Sequence, residues 1–172
     1  MIDAIEKNLE RGISLLNSIS DEQYSDASVA PYNSSIGCHI RHVLDVFSCI
    51  FKGLENNFVD FSVRERNQCA EQQTSIGIEY FESIIDQLKT IKKKDFNTVI
   101  KVSDDMGLGN EIANYTIGSV LMQAQSHAIH HYASIGYLVY QLGIELPDAA
   151  FGFNPTTPKV NLQKKIKAII TS

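Results

Sequence analysis

The sequence predicts an all-α fold, an up-and-down-type four-helix bundle with a long connection before the last long helix. Three observations predict it. Four long stretches carry apolar residues at the spacing of one helix face. A single β-branched, turn-rich connection, residues 96–110, separates the third stretch from the fourth and has room for a short hairpin. The fourth stretch lies in a run from Ile112 to Ile144 without any Asp, Glu, Lys or Arg, as a helix buried on most sides requires. The 172 residues, 44% hydrophobic and 20% charged, make one globular domain spanning 1–172.

In order, Ile2, Ile5, Leu9, Ile13, Leu16 and Ile19 mark a first amphipathic helix over residues 2–19. Ser20 to Asn33 is polar, holds Pro31 and reads as a connection. Asn33 or Ser34 caps a second helix to about Leu54, with Ile36, Ile40, Val43, Phe47, Ile50 and Leu54 as its stripe. Glu55 to Asn67 is a loop containing Arg64 and Arg66. A third helix covers Gln68 to Ile91, with Ile76, Tyr80, Ile84 and Leu88 inward and Lys92–Lys94 suiting its negative end. Phe96–Val102 and the turn-rich Asp104–Asn110 suggest a hairpin or extended crossing. Thr116 caps the fourth helix, which runs to about Leu142 and stops at Gly143. A loop-like tail follows, then a short terminal helix over Leu162–Ile170.

The net charge of −5 argues against a nucleic-acid surface. The charge-free run is no membrane span, because Asn114, Gln123, Gln125, Ser126, three histidines and Gln141 interrupt it. The beginning Met1-Ile2-Asp3-Ala4-Ile5-Glu6 is charged and unlike a signal peptide. Cys38, Cys49 and Cys69 are odd in number, with no C-x-x-C spacing, which fits a reduced, cytoplasmic compartment. Cys38 reads as a packing residue rather than a nucleophile. The charge-free helix also offers a face for a homodimer.

All five histidines fall in two clusters, His39 and His42 on the second helix and His127, His130 and His131 on the fourth. His127 and His131 are one turn apart on one face, where two imidazoles can share an ion. A third ligand then comes from His39 or His42. Against this stands an ordinary reading, polar residues at helix surfaces or hydrogen-bonded within a core. Asp45, one turn after His42, is a candidate acceptor for a ring N–H or else an exposed helical acid. Arg64 and Arg66 can bind a carboxylate or phosphate, or hold their loop down by ion pairs, the commoner outcome.

Ser35-Ile36-Gly37-Cys38-His39-Ile40-Arg41-His42, followed by His127-Ala128-Ile129-His130-His131, resembles the DinB-like/YfiT-like superfamily of four-helix bundles. The loop Val59–Asn67, Ile144-Glu145-Leu146-Pro147 and Phe151–Thr157 resemble a DinB-like branch common in Bacteroidetes. The resemblance implies a divalent metal, nickel or zinc foremost and iron as a further candidate, bound by one histidine of helix two and the H-x-x-x-H pair. Carried over, the ligands are His42, His127 and His131, with His39 in reserve. Members of the superfamily include S-transferases dependent on bacillithiol or mycothiol and a thiol-dependent isomerase. The related iron-binding domain of sulfoxide synthases has H-x-x-x-H-x-E, where this chain has Ala133, so that activity is set aside.

Three imidazoles on a divalent ion leave positions open for a thiolate or water, so the expected protein is a small-molecule enzyme, a thiol-dependent S-transferase using a low-molecular-weight thiol or a metal-dependent hydrolase. Asp45, Tyr132 and His130 are candidates to assist proton transfer. Arg41, Arg64 and Arg66 are candidate contacts for an anionic thiol. The rival is a non-catalytic bundle that binds a small ligand or partner chain.

Overall fold

The computed structural model describes residues 1–157; the expected helix over Leu162–Ile170 lies outside them. The elements, in chain order, are α1 (Ile2–Leu16), α2 (Asp21–Ser25), α3 (Ile36–Gly53), β1 (Phe58–Asp60), α4 (Cys69–Gln72), α5 (Thr74–Ile91), β2 (Val99–Asp105), β3 (Asn110–Thr116) and α6 (Ile117–Gln141). The four long helices, α1, α3, α5 and α6, make the expected bundle. The description as purely all-α needs correction, because a three-stranded sheet in the order β1-β2-β3 lies beside it.

The stripe of α3 follows its periodicity: Ile36, Ile40, Val43, Phe47 and Ile50 are fully buried and Leu54 nearly so. Each such side chain contributes roughly 1.5–3 kcal/mol by leaving water. Its cap is Ser35 rather than Asn33 or Ser34, since the Cys38 amide donates to Ser35 Oγ at 3.0 Å. The start of α3 also runs close to α4. A Cβ on Gly37 would lie 2.0 Å from the Glu71 carbonyl oxygen, so only glycine allows the approach.

The expected third helix is two pieces. Gln73 is extended (φ −120°, ψ 120°) and separates α4 from α5. A distant residue supplies the new start: Asp21 accepts from the Thr74 amide at 2.8 Å and from its hydroxyl at 2.7 Å. The buried face of α5 is Gly77, Phe81, Ile84, Ile85, Leu88 and Ile91, turned about a residue from the Ile76–Tyr80 line the sequence suggested.

The connection forms a hairpin, β2 antiparallel to β3, with Val102 opposite Ala113. Ile100 and Val102 turn inward. The loop after α3 adds β1, parallel to β2, with Val59 opposite Val102. This pairing carries β2 past the helix pair that bears the histidines. At the far end of the hairpin Thr116 accepts from the Ser119 amide, and the Ser119 hydroxyl accepts from Thr116 in return, a capping box that starts α6. Gly143, at φ +67°, ends it in the left-handed conformation expected of a helix stop.

Candidate metal centre

The histidines meet where α3 lies against α6. Four imidazoles are involved. Ring centroids are 4.4 Å apart for His127–His131, 4.7 Å for His42–His131, 4.9 Å for His42–His127 and 5.1 Å for His39–His131. His127 and His131 meet edge to face because they are one helical turn apart, and His42 faces them from α3. One ring nitrogen from each of His42, His127 and His131 lies within 4.8 Å of the other two, so these three are placed to bind one metal ion.

The contacts between the rings support that reading. His42 Nε2 and His127 Nε2 are 2.8 Å apart. His39 Nδ1 and His131 Nδ1 are also 2.8 Å apart. Arg64 Nη1 donates to His42 Nδ1 at 3.0 Å. A guanidinium can only donate, so this contact makes His42 Nδ1 the acceptor and puts the proton of the neutral ring on Nε2, which donates to His127 Nε2. For His42 to bind an ion through Nε2, Arg64 must release Nδ1. On the other side Ser34 Oγ is 3.0 Å from His39 Nε2, fixing the ring that backs His131. His42 and His131 are thus each held through Nδ1, by Arg64 and by His39.

Burial and mutual proximity keep these rings uncharged. Burial, then neighbouring His127, Arg64 and Arg41, push His42 down to about 4. Burial and the surrounding imidazoles push His131 down to about 3. His39 and His127 are lowered as well, burial again leading and His130 next. Neutral imidazoles offer lone pairs, so the donor set fits a divalent cation chemically as well as sterically.

The other candidate residues are distributed unevenly. His130 is exposed, with its ring 5.5 Å from that of His131, and borders with His39 a cavity of about 980 Å³. Asp45 is neither an exposed acid nor a partner of His42. It is buried, and its two oxygens accept from Arg41 Nη1 at 2.9 Å and Tyr80 OH at 3.0 Å. Arg41 is likewise committed, since it also bonds Glu71 at 2.7 Å. Burial works against its charge, but the bonds to Asp45 and Glu71 outweigh burial and hold its pKa above the ordinary arginine value. It is therefore not available as a thiol contact.

Tyr132 is misplaced for proton transfer. It belongs to the core stripe with Ala128, Ile135 and Val139, its ring is stacked on Phe151 at 4.5 Å, and it is fully buried. Its hydroxyl points at α1, where a Cβ on Gly12 would lie 2.5 Å away. Successive helical residues point about 100° apart, so a side chain next to His131 cannot share its direction. Arg64 does both things the sequence allowed: its Nε donates to Phe61 O at 2.9 Å, holding the loop, while Nη1 reaches His42. Arg66 is exposed, and among the described residues no hydrogen bond joins it to the histidines.

Two neighbours of the cluster were not foreseen. Ser34 is freed for His39 because Ser35 takes the cap, and two adjacent serines give no sign of which does which. Asp104, on β2, lies near enough for its charge to favour protonation of His127, opposing burial. The β2–β3 hairpin, which runs directly into α6, and the β1–β2 pairing hold β2 in place. All three cysteines are free thiols, and no helix among the described residues is long and apolar enough to cross a membrane.

Comparison with known proteins agrees with this architecture. No curated protein matches the chain. The crystal structure of a DinB-like protein from Bacillus subtilis superposes with a TM-score of 0.62 at 19% identity, covering 86% of this chain and 94% of that one. A DinB-like protein from Bacillus cereus gives 0.57 at 17% identity, covering 83% and 90%. At these identities the likeness establishes the fold. The family model for the DinB family matches residues 4–160, nearly the whole chain, and the protein therefore belongs to the DinB family.

Proposed function

We propose that the protein is a divalent-metal-dependent enzyme in which His42, His127 and His131 hold the ion, and that it is a thiol-dependent S-transferase. The observation that carries this reading is the convergence of three neutral imidazoles from two helices. Nickel or zinc suits such a set, and iron is also compatible with imidazole ligands. An ion bound by three histidines would lower the pKa of a coordinated thiol or water and supply a nucleophile near neutral pH.

The remaining roles fall to the chain itself. Arg64 attracts a low-molecular-weight anionic thiol of the bacillithiol type to the His42 side. His39, held by Ser34, fixes the orientation of His131. The thiol gives up its proton to solvent on the Arg64 side, and His130, exposed at the cavity edge, hydrogen-bonds the departing group. The sulfur–carbon bond then forms as the leaving group departs with its electron pair. Asp104 near His127 favours a second reading, metal-dependent hydrolysis, in which its carboxylate accepts a proton from water.

The test begins with metal. The untagged chain should purify with about one divalent ion per chain, by the three-ligand logic, and His127→Ala should lose it. Bacillithiol conjugation of a model electrophile such as 1-chloro-2,4-dinitrobenzene should follow metal content. Turnover that needs metal but no thiol would move the assignment to hydrolysis. A metal-free, fully folded chain indifferent to chelator would leave a non-catalytic bundle that binds a small ligand or partner chain.

A further inference from the structure

The two sides of the histidine cluster differ in charge. Arg64 stands against His42, and Asp104 acts on His127. On the opposite side, beyond His39, the cavity of about 980 Å³ opens between the second half of α6 and the segment 28–34 that precedes α3. Among the described residues, none that lines it is an Asp, Glu, Lys or Arg. Its polar groups are imidazoles, hydroxyls and one amide, and several are already occupied. Ser34 faces His39, and the Ser134 hydroxyl donates to the His130 carbonyl at 3.2 Å. Tyr32 and Tyr137 stand on the lining with 87% and 77% of their surface exposed, and Leu138 and Leu142 supply apolar wall between them and the bundle.

Such a cavity selects by charge. An ionised carboxylate or ammonium entering it would lose hydration and find no counter-charge on the walls. A flat uncharged group loses little and gains contact with two aromatic rings. The volume is that of a site for a whole small molecule rather than for a single solvent molecule.

We infer that this cavity is the binding site for an uncharged aromatic co-substrate, set beside the histidine cluster on the side away from Arg64. The inference rests on the enzymatic reading above in naming the occupant a co-substrate. It deepens that reading by assigning the two reactants to opposite sides, the anionic thiol to Arg64 and the neutral electrophile to the tyrosines.

The experiment is a calorimetric titration of the full chain, as purified and again after chelation, with the matched probes 4-nitrobenzamide and 4-nitrobenzoate. The amide should bind in both states, and after chelation the carboxylate should bind at least roughly tenfold more weakly, because its charge has no partner in the cavity. Tyr137→Ala, an exposed position that leaves the core intact, should weaken the amide several-fold. Ser134→Trp, which fills the cavity, should abolish binding while circular dichroism stays helical. Equal affinity for the two probes after chelation, no binding of the amide, or binding indifferent to both substitutions would overturn the assignment. Metal analysis fails or succeeds separately. Amide binding by a chain with no affinity for metal would keep the cavity and discard the enzymatic reading.

Discussion

Two polar clusters share α3 and are built on opposite principles. In the first, Arg41, Asp45, Glu71 and Tyr80 bring charges of both signs together, and both oxygens of buried Asp45 accept a hydrogen bond. In the second, begun by the next residue, His42, there is no carboxylate between the rings. Nitrogen faces nitrogen at 2.8 Å, twice. The first cluster is electrically complete and serves the fold, tying α3 to α4 and α5. The second is a set of imidazoles that bond chiefly to one another, three of them placed to bind one metal ion. Residue type alone would not separate them, since both contain functional-looking groups on one helix. The company of their charges does: the first cluster pairs carboxylates with a guanidinium, and the second has only imidazoles between its rings.

The comparison is broken most forcefully at Asp45. Asp45→Ala leaves a buried guanidinium short of a partner and should cost roughly 3–5 kcal/mol, toward the low end because Glu71 remains. Urea denaturation reads the loss, and metal binding by the folded fraction should survive. A stable variant that had lost its metal would mean that Asp45 belongs to the other cluster.

Tyr80→Phe removes a hydrogen bond to a charged oxygen and should cost about 1.5–3 kcal/mol at neutral pH. Burial foremost raises the Tyr80 pKa above the unfolded tyrosine value of 10.0. Its folded-state contribution is thus fully present below pH 10 and lost as pH rises beyond it. The stability gap between wild type and Tyr80→Phe should therefore narrow above pH 10, as denaturation at pH 8 and pH 10.5 would show.

On the histidine side, His39→Ala removes the ring behind His131 without removing a proposed ligand. Metal affinity should fall about 10–100-fold, as it does when an orienting partner is lost, while stoichiometry stays the same. Competition with a chromogenic chelator measures both. Loss of the ion altogether would make His39 a ligand in its own right.

The smallest effect belongs to Tyr132, whose buried hydroxyl has no partner among the described residues. Tyr132→Phe should lie within about 1 kcal/mol of wild type, on the stabilising side, because no bond is lost and no acceptor is stranded. Conjugation activity should be unchanged. A large drop in activity would restore Tyr132 to the site.

Much of this was legible from periodicity and local chemistry. The stripe of α3, the Thr116 cap and the Gly143 stop depend on nearby residues, and the chain carries them openly. The one-turn spacing of His127 and His131 is equally local. What could not be read depends on residues far apart. Asp21 caps α5 from 53 positions away and so splits a segment whose apolar pattern runs on. The three residues of β1 become a strand only by lying along β2, and that pairing, with the β2–β3 hairpin, holds the strand that brings Asp104 to His127. The fate of Asp45 turned on Tyr80, on a different helix. The direction of Tyr132 is a different case, because its place in the 128–132–135–139 stripe was visible in the sequence and outweighed its nearness to His131.

The central claim is that His42, and not His39, joins His127 and His131 around a single ion. A crystal of the metal-loaded chain, with diffraction recorded on both sides of the metal's absorption edge, tests it most directly. The account predicts one anomalous peak within coordination distance of His42, His127 and His131, with His39 behind His131 and out of reach. A peak bound through His39 in place of His42, or a folded, metal-soaked crystal with no peak between the rings, would contradict it.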